Sequence, residues 1–246
     1  MMASYQETSM IRAVNLTKRY EDGTLGLDAL NLAVECGQIY CLLGAPGAGK
    51  STIINLFLGF IRPSSGQALV SGIDVDRNPI EAKRHISYLP ENALLYDNYN
   101  ARQTLEFFAG LAGISHLRRD DYNAILREVG LKETSFEQPL KHLSTAMRQK
   151  VAVAAMLLKG GPAVLLDEPI AGLDPRAVAD VLDVLRRLRN QGKAILFSTH
   201  DIFRAREIAD RIGIIREGRK VLERGRDEID DDDLHALYLN YIRGSR

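Results

Sequence analysis

The chain has little of what several classes of protein require. Its 246 residues include two cysteines, no tryptophan and equal numbers of acidic and basic side chains, so the formal net charge is zero. Cys36 and Cys41 are too few and wrongly spaced for a zinc site or a disulfide framework, which fits a reducing compartment. A neutral chain offers no basic surface that would indicate nucleic acid as a partner.

Long apolar runs are also missing. No run approaches the roughly 20 residues that a membrane helix needs. The first twelve residues lack the cationic and apolar segments of a signal peptide. If the protein works at a membrane, we expect a partner to supply the span. The length fits one large packed domain or two small ones.

A glycine-rich loop predicts a phosphate-binding site. Residues 44–52 follow the GxxxxGK[ST] pattern, between a short apolar run at 38–43 and a segment of helical character at 51–60. We expect Lys50 to reach the β- and γ-phosphates and Ser51 to offer its hydroxyl to Mg²⁺. The candidate ATP-binding residues of this loop are Gly44, Ala45, Pro46, Gly47, Ala48, Gly49, Lys50, Ser51 and Thr52.

The rest of the chain alternates between strand and helix patterns. Apolar runs predict strands at residues 11–16, 30–34, 69–71, 163–167 and 194–198, with a turn at 21–23 and a breaker at 62–66. Helical spacing predicts a helix at 178–188, with Pro175 in its first turn, and helical structure from 100 to 159. The long helical stretch interrupts an α/β pattern, so we interpret it as an inserted subdomain.

Two carboxylates follow one of the predicted strands. Asp167 and Glu168 end the run Val164-Leu-Leu-Asp-Glu-Pro169, at the strand end where open α/β sheets bind ligands. Asp167 is a candidate Mg²⁺ ligand. Strand alternation would point Glu168 to the other side, where it is a candidate to polarise an attacking water. The alternative is a pair of solvated carboxylates, which the nearby phosphate loop disfavours.

These motifs and four further segments resemble the nucleotide-binding subunit of an ABC (ATP-binding cassette) transporter. The further segments, in order, are Thr-Lys-Arg-Tyr20, Leu143-Ser-Thr-Ala-Met-Arg-Gln149, Ala171-Gly-Leu-Asp174 and Ser198-Thr-His200. Residues 88–92 and 234–240 are similar to the bacterial exporter subfamily that has separate permease subunits. The resemblance extends from about residue 11 to residue 241.

The resemblance implies a fold and a division of the chain. The fold class is α/β, a P-loop NTPase (RecA-like) core with an antiparallel β-subdomain and an inserted α-helical subdomain. Residues 11–242 would form a single ABC ATPase domain. Its parts would be 11–90 and 160–225 (the α/β core with the β-subdomain), 91–159 (the helical subdomain) and 226–246 (a short C-terminal helix).

The resemblance also implies roles for particular residues, with ATP and Mg²⁺ as cofactors. Glu168, His200 and Lys50 would be catalytic, with His200 sensing the γ-phosphate, and Tyr20 would stack on adenine. Mg²⁺ would be bound by Ser51, Glu91 and Asp167. Ser144, Thr145 and Ala146 would face, in trans, the ATP that a second ATPase subunit binds in a homodimer or heterodimer.

The implied function is ATP hydrolysis that drives export through membrane permease subunits, from the cytoplasmic face of the inner membrane. A permease would dock around residues 91–102, where Leu94, Leu95, Tyr96 and Tyr99 are available for packing. Two alternatives stay open. One is a soluble ABC ATPase outside transport, and the other is a degenerate ATP-binding cassette that regulates a heterodimer.

The sequence departs from the family pattern at three places. Thr145 and Ala146 replace the two signature glycines, Pro46 removes one backbone donor from the phosphate loop, and Glu91 replaces the Q-loop glutamine. We expect a working but slow or partner-dependent ATPase.

Some of these features also have plainer interpretations. Tyr20 is also compatible with the end of a strand, and His200 with a helix entry. The acidic run at 227–233 is best interpreted as the first turn of a short helix. Four histidines lack metal-ligand spacing and are interpreted as structural or surface residues: His85, His116, His142 and His235.

Overall fold

The computed structural model describes residues 9–228. Within them the strands are β1 (Ser9–Arg19), β2 (Leu25–Glu35), β3 (Ile39–Leu43), β4 (Ser65–Val70), β5 (Ile73–Asp74), β6 (Ile86–Leu89), β7 (Ala163–Leu166), β8 (Ala194–Thr199), β9 (Arg211–Arg216) and β10 (Arg219–Gly225). The α-helices are α1 (Lys50–Phe57), α2 (Pro79–Arg84), α3 (Ala101–Leu111), α4 (Arg119–Glu128), α5 (Thr145–Lys159), α6 (Pro175–Asn190) and α7 (Ile202–Ile208).

A six-stranded sheet forms the centre of the fold, in the order β10-β9-β3-β8-β7-β6. Its strands from β9 to β6 are parallel, and β10 pairs antiparallel with β9. Both faces are covered: along β3, Ile39, Cys41 and Leu43 join one apolar core, and Tyr40 and Leu42 join the other. Burial on both faces explains why the parallel strands read as continuous apolar runs rather than alternating ones.

A four-stranded antiparallel sheet, β2-β1-β4-β5, covers one side and shares a core with α1. The other core contains residues of α3, α4, α5 and α6. In the chain, helices α3 to α5 lie between β6 and β7, so they form one helical block that is inserted into the α/β pattern. The α/β fold with an antiparallel sheet and inserted helices confirms the predicted fold class.

Several predicted elements needed correction. Helix α1 ends at Phe57 rather than at residue 60, because Gly59 has a φ of +61°. Strand β4 begins at Ser65, inside the predicted breaker, because it pairs with β1 across a register shift. The helical pattern from 100 to 159 is interrupted at 112–118 and 129–144. The prediction included neither helix α2 nor strands β5, β6, β9 and β10.

Some predictions fall outside the described residues. These are the short C-terminal helix beyond residue 228 and the segment 234–240. Within residues 9–228, no helix combines the length and the apolar character needed to cross a bilayer.

Candidate functional site

A cleft of about 430 Å³ lies at the carboxyl edge of the central sheet. The phosphate loop follows β3, Glu168 follows β7 and His200 follows β8. Because these three strands are parallel, the residues that follow them lie at the same edge of the sheet. The predicted site residues that line the cleft are Tyr20, Pro46, Gly47, Gly49, Lys50, Ser51, Thr52, Glu91, Glu168 and His200. The fold thus brings together residues from five separate segments of the chain.

The phosphate loop depends on glycine where its backbone meets other strands. Gly49 has a φ of +107°, and a Cβ there would lie 2.8 Å from the carbonyl oxygen of Gly26. A Cβ at Gly44 would lie 2.5 Å from the carbonyl oxygen of Ile215. As the N-cap of α1, Gly49 gives no side-chain cap. The first N–H groups of α1 therefore have no side-chain acceptor from that position, which suits an anionic ligand.

Lys50, Glu168 and His200 form a chain of polar contacts across the cleft. Lys50 is buried, and its Nζ donates to the carbonyl oxygens of Gly44 at 2.7 Å and Ala45 at 3.2 Å. The same Nζ lies 3.3 Å from Oε1 of Glu168, and Nδ1 of His200 lies 3.1 Å from Oε2 of that carboxylate. Glu168 therefore connects the phosphate-loop lysine with the histidine.

Ser198 fixes both carboxylates of the second motif. Its Oγ donates to Oδ1 of buried Asp167 at 2.6 Å and accepts from the backbone N–H of Glu168 at 3.0 Å. Strand β7 ends at Leu166, and Glu168 has a φ of +44°. The direction of Glu168 is therefore set by this turn and by Ser198, not by the strand alternation that the sequence argument used. A positive φ is uncommon for a non-glycine residue and is maintained here by the surrounding contacts.

The candidate Mg²⁺ ligands are all oxygen donors, which suits this ion. Ser51 and Glu91 line the cleft, and Asp167 is buried beside it. In residues 9–228, no group of three or more His, Cys, Asp or Glu side chains is arranged to bind a metal by itself. Mg²⁺ sites with one or two carboxylates and substrate phosphates do not need such a group, so the residues fit an ion that arrives with a nucleotide.

Tyr20 lines the same cleft. It follows β1, is about one-third exposed, and its hydroxyl lies 3.1 Å from Oγ1 of Thr52. An aromatic ring beside the phosphate loop is well placed to contact the base of a nucleotide.

The segment 144–146 does not belong to this cleft. Ser144 is the N-cap of α5 and accepts a hydrogen bond from the backbone N–H of Met147 at 3.3 Å. Ser144 and Thr145 are exposed, and Ala146 is partly exposed. The described lining of the cleft takes no residue from this segment. Its predicted role requires a second subunit.

The β9–β10 turn supports the phosphate loop, although no sequence motif indicates this contact. The N–H of Gly218 donates to the carbonyl oxygen of Ala48 at 2.9 Å, and the N–H of Asp28 donates to the carbonyl oxygen of Gly218 at 2.8 Å. Arg219 forms an ion pair with Asp28 at 2.6 Å. The turn residues Arg216-Glu-Gly-Arg219 match no known motif and lie far from the phosphate loop in the chain, so no local sequence pattern predicts their contact with it.

Cys41 lies in β3 beneath the site and is fully buried. Burial, and to a lesser degree the negative charge of Glu168, raise the pKa of the Cys41 thiol well above its ordinary value. The thiol stays protonated and serves as an apolar core group.

A second cavity, which we call the apolar groove, lies between the central sheet and the inserted helices. Its volume is about 480 Å³. It is lined by Leu58, Phe60, Lys83, Ile86, Tyr88, Leu89, Pro90, Ala93, Leu94, Leu95, Phe108, Leu111, Ala112, Ala152, Ala155, Met156, Leu158 and Lys159. The structure brings Leu94 and Leu95 of the predicted docking segment to this groove. It places Tyr96 and Tyr99 beside the groove, in contact with Phe107.

Comparisons with known proteins agree with this geometry. The family profile described as "ABC transporter" matches residues 27–171. The lantibiotic transport ATP-binding protein SrtF of Streptococcus pyogenes is 30% identical over 233 residues, which cover 95% of this chain and 97% of SrtF. The daunorubicin/doxorubicin resistance ATP-binding protein DrrA of Streptomyces peucetius is 35% identical over 219 residues, which cover 89% of this chain and 66% of DrrA.

A solved structure of similar shape is that of cbiO1 from Clostridium perfringens, described as part of the ABC transporter complex cbiONQ. Its TM-score is 0.81 at 27% identity, and the match covers 95% of each chain.

Proposed function

Because this chain belongs to the ABC transporter family of ATP-binding proteins, we propose that it binds and hydrolyses ATP to drive export through separate membrane permease subunits. The observation that carries the proposal is the contact chain of Lys50, Glu168 and His200 beside the phosphate loop. SrtF and DrrA, which are named for lantibiotic transport and drug resistance, support export as the direction.

Different residues of the cleft suit the phosphates and the base of ATP. The phosphate loop and Lys50 bind the phosphates, since Lys50 can exchange its contacts with Gly44 and Ala45 for phosphate oxygens. Tyr20, which lines the same cleft, stacks on the adenine. Thr52 lies between these two parts, because its hydroxyl contacts Tyr20 from the first turn of α1.

Hydrolysis is phosphoryl transfer to water. Glu168 orients a water molecule and accepts its proton as the water oxygen attacks the γ-phosphorus, while the bond from that phosphorus to the bridging oxygen breaks and ADP leaves. His200, in contact with Glu168, senses the γ-phosphate. Lys50 balances negative charge that develops in the transition state.

Ser51, Asp167 and Glu91 would hold Mg²⁺ with the nucleotide. A bound Mg²⁺ ion supplies neutralisation of charge on the β- and γ-phosphate oxygens. Ser198 keeps the Asp167 carboxylate in place for this role through their 2.6 Å hydrogen bond. Dependence of activity on Mg²⁺ follows from this arrangement and is part of the proposal.

Two subunits would complete each ATP site. The exposed N-terminus of α5, with Ser144 as its N-cap, is free to approach the γ-phosphate bound by a second ATPase subunit. The dimer closes on ATP and opens after hydrolysis, which gives the permeases a cycle of movement.

The apolar groove is the proposed docking site for a permease at the cytoplasmic face of the membrane. Leu94 is 91% exposed, Leu111 70% and Phe60 59%, so large apolar side chains line its rim. Lys83 and Lys159 lie in its wall. Burial, and then the charge of Lys83, lower the pKa of Lys159. A permease helix with an apolar face and a carboxylate fits this combination of surface and charge.

The proposal is tested by ATP binding and turnover of Lys50→Ala, with Lys132→Ala as the matched control. Lys132 is exposed and lies outside the cleft. We expect the Lys50 variant to lose ATP affinity and turnover together, and the control to match the wild type. Wild-type affinity and turnover in Lys50→Ala would refute ATP hydrolysis at this cleft.

The altered signature favours one alternative, an ATP-binding cassette that regulates an active partner. Thr145 and Ala146 place side chains where close backbone approach is expected. Turnover by the purified chain alone would exclude this alternative. Turnover that appears only with a second, different ATPase chain would support it.

A further inference from the structure

Gly26, at the start of β2, lies against the Cε2 edge of the Tyr20 ring. A Cβ at Gly26 would overlap Cε2 of the ring and lie 3.2 Å from Cδ2, and the next nearest atom is Cγ2 of Thr52 at 3.4 Å. The backbone of Gly26 does not have the positive φ that favours glycine. The close approach of the Tyr20 ring, and not backbone conformation, therefore favours glycine at this position.

Two further contacts fix the ring from other directions. The Tyr20 hydroxyl shares a hydrogen bond with Oγ1 of Thr52 at 3.1 Å. The Nζ of Lys18 lies 5.4 Å from the ring centroid and donates to the carbonyl oxygen of Arg62 at 2.8 Å. One edge of the ring thus lies against the Gly26 backbone, its hydroxyl contacts Thr52, and the Lys18 ammonium lies over its face.

We infer that Gly26 is a positioning residue that sets the place of the Tyr20 ring, and with it the affinity for the adenine base. The inference rests on the proposed function, in which Tyr20 stacks on adenine. The position of the Tyr20 ring, and not only the presence of an aromatic side chain, then determines the affinity for the base. Thr52 supports the same position from the phosphate side.

The position allows a clean test, because alanine at Gly26 meets only the far end of a side chain. The ring of Tyr20 can rotate away without a change in the backbone, so Gly26→Ala should fold normally. Gly110→Ala is the matched control. Gly110 is exposed in α3, has no positive φ, and a Cβ there would meet nothing within 4 Å.

The experiment measures Kd for two ligands by calorimetry. One is adenylyl imidodiphosphate, an ATP analogue that is not hydrolysed, and the other is inorganic tripolyphosphate, which has no base. The variants are Gly26→Ala, Tyr20→Ala, the double variant and Gly110→Ala, in the full chain. Thermal unfolding of each variant is recorded alongside.

We expect Gly26→Ala to weaken the adenine analogue at least about threefold and Tyr20→Ala about 5- to 150-fold, the range for losing base–aromatic stacking. Tripolyphosphate affinity should stay at the wild-type value in both. The double variant should bind the analogue no more weakly than Tyr20→Ala, because no ring is left to displace. Gly110→Ala should bind both ligands like the wild type.

Three outcomes would overturn the inference. If Tyr20→Ala loses affinity and Gly26→Ala does not, Gly26 does not position the ring. If Gly26→Ala weakens both ligands equally, the substitution acts on the phosphate loop instead. If neither variant affects the analogue, Tyr20 is not the base platform; the wider proposal of ATP binding would fail only if Lys50→Ala also bound normally.

Discussion

At the scale of single residues, the site depends on a carboxylate between two basic groups. Glu168 is 11% exposed at its side chain, and it contacts both Lys50 and His200. Its backbone conformation and its bond to Ser198 hold it there. A carboxylate with so little freedom is suited to orient one water molecule in one direction.

Glu168→Gln should therefore reduce turnover by at least about 10²-fold, within the usual range for loss of a general base. ATP binding should persist because the phosphate loop and Lys50 are untouched, and ATP-bound dimers should accumulate. Steady-state turnover and size-exclusion chromatography with Mg-ATP measure the two effects.

Glu133→Gln is the control, since Glu133 is an exposed carboxylate that pairs with Arg127. It should match the wild type. Unchanged turnover in Glu168→Gln would remove Glu168 from the mechanism.

In the proposed function, the ring of Tyr20 binds the adenine base. Tyr20→Ala should weaken ATP by about 1–3 kcal/mol, the range for base–aromatic stacking. Tyr20→Phe keeps the ring and loses only the hydrogen bond to Thr52, so the loss should be about 1 kcal/mol or less. Equilibrium binding of ATP measures both, and equal affinity of the wild type and the alanine variant would make Tyr20 a plain strand-end residue.

At the scale of elements, α5 carries the altered signature and connects it to the catalytic loop. Ser144 caps its N-terminus, and Nε2 of Gln149, one and a half turns later, donates to the carbonyl oxygen of Pro169 at 2.7 Å. Pro169 directly follows Glu168. In the proposed dimer, a movement of this helix against a second subunit would be passed through Gln149 to the residue beside Glu168.

If the methyl of Ala146 hinders approach to a γ-phosphate, Thr145→Gly with Ala146→Gly should raise ATPase activity in a homodimer. Both positions lie in the first turn of α5, so each glycine should also cost about 1 kcal/mol of stability or less. Turnover at saturating Mg-ATP and thermal unfolding are measured together. A large fall in turnover with an intact fold would mean that Thr145 and Ala146 are adapted to this site.

At the scale of the whole molecule, the central sheet separates two surfaces with different chemistry. The cleft at the strand ends contains the ionisable side chains of Lys50, Glu91, Glu168 and His200, whereas the apolar groove lies where β6 meets the inserted helices. The segment from Glu91 to Leu95 reaches both, because Glu91 lines the cleft and Leu94 and Leu95 line the groove. This short segment is the direct physical connection between nucleotide and permease in the proposed function.

Leu94→Asp should weaken permease association at least about tenfold, as expected when a large apolar side chain that anchors an interface is replaced by a charge. ATP binding by the isolated subunit should not change. Phe203→Asp is the control, since Phe203 is also exposed and apolar but lies outside the groove. Co-purification with the membrane subunits is the measurement, and wild-type recovery with Leu94→Asp would place the docking surface elsewhere.

The sequence by itself determined the chemistry of the phosphate loop and the type of most elements. Glycine spacing, an apolar run and a helical segment are local patterns, so residues 44–52 predicted their own conformation. Strands β3, β7 and β8 were predicted almost to the residue, because buried parallel strands leave continuous apolar runs. The family resemblance supplied the roles that spacing alone does not determine.

Only the tertiary structure decided which residues meet. Ser198 beside Asp167 and Gly218 against the phosphate loop are contacts between segments far apart in the chain. Such contacts depend on strand order, and the order β9-β3-β8-β7 is set by packing on both faces of the sheet. A local pattern has no information about the neighbour that packing will bring, which is why the chemistry was predictable and its geometry was not.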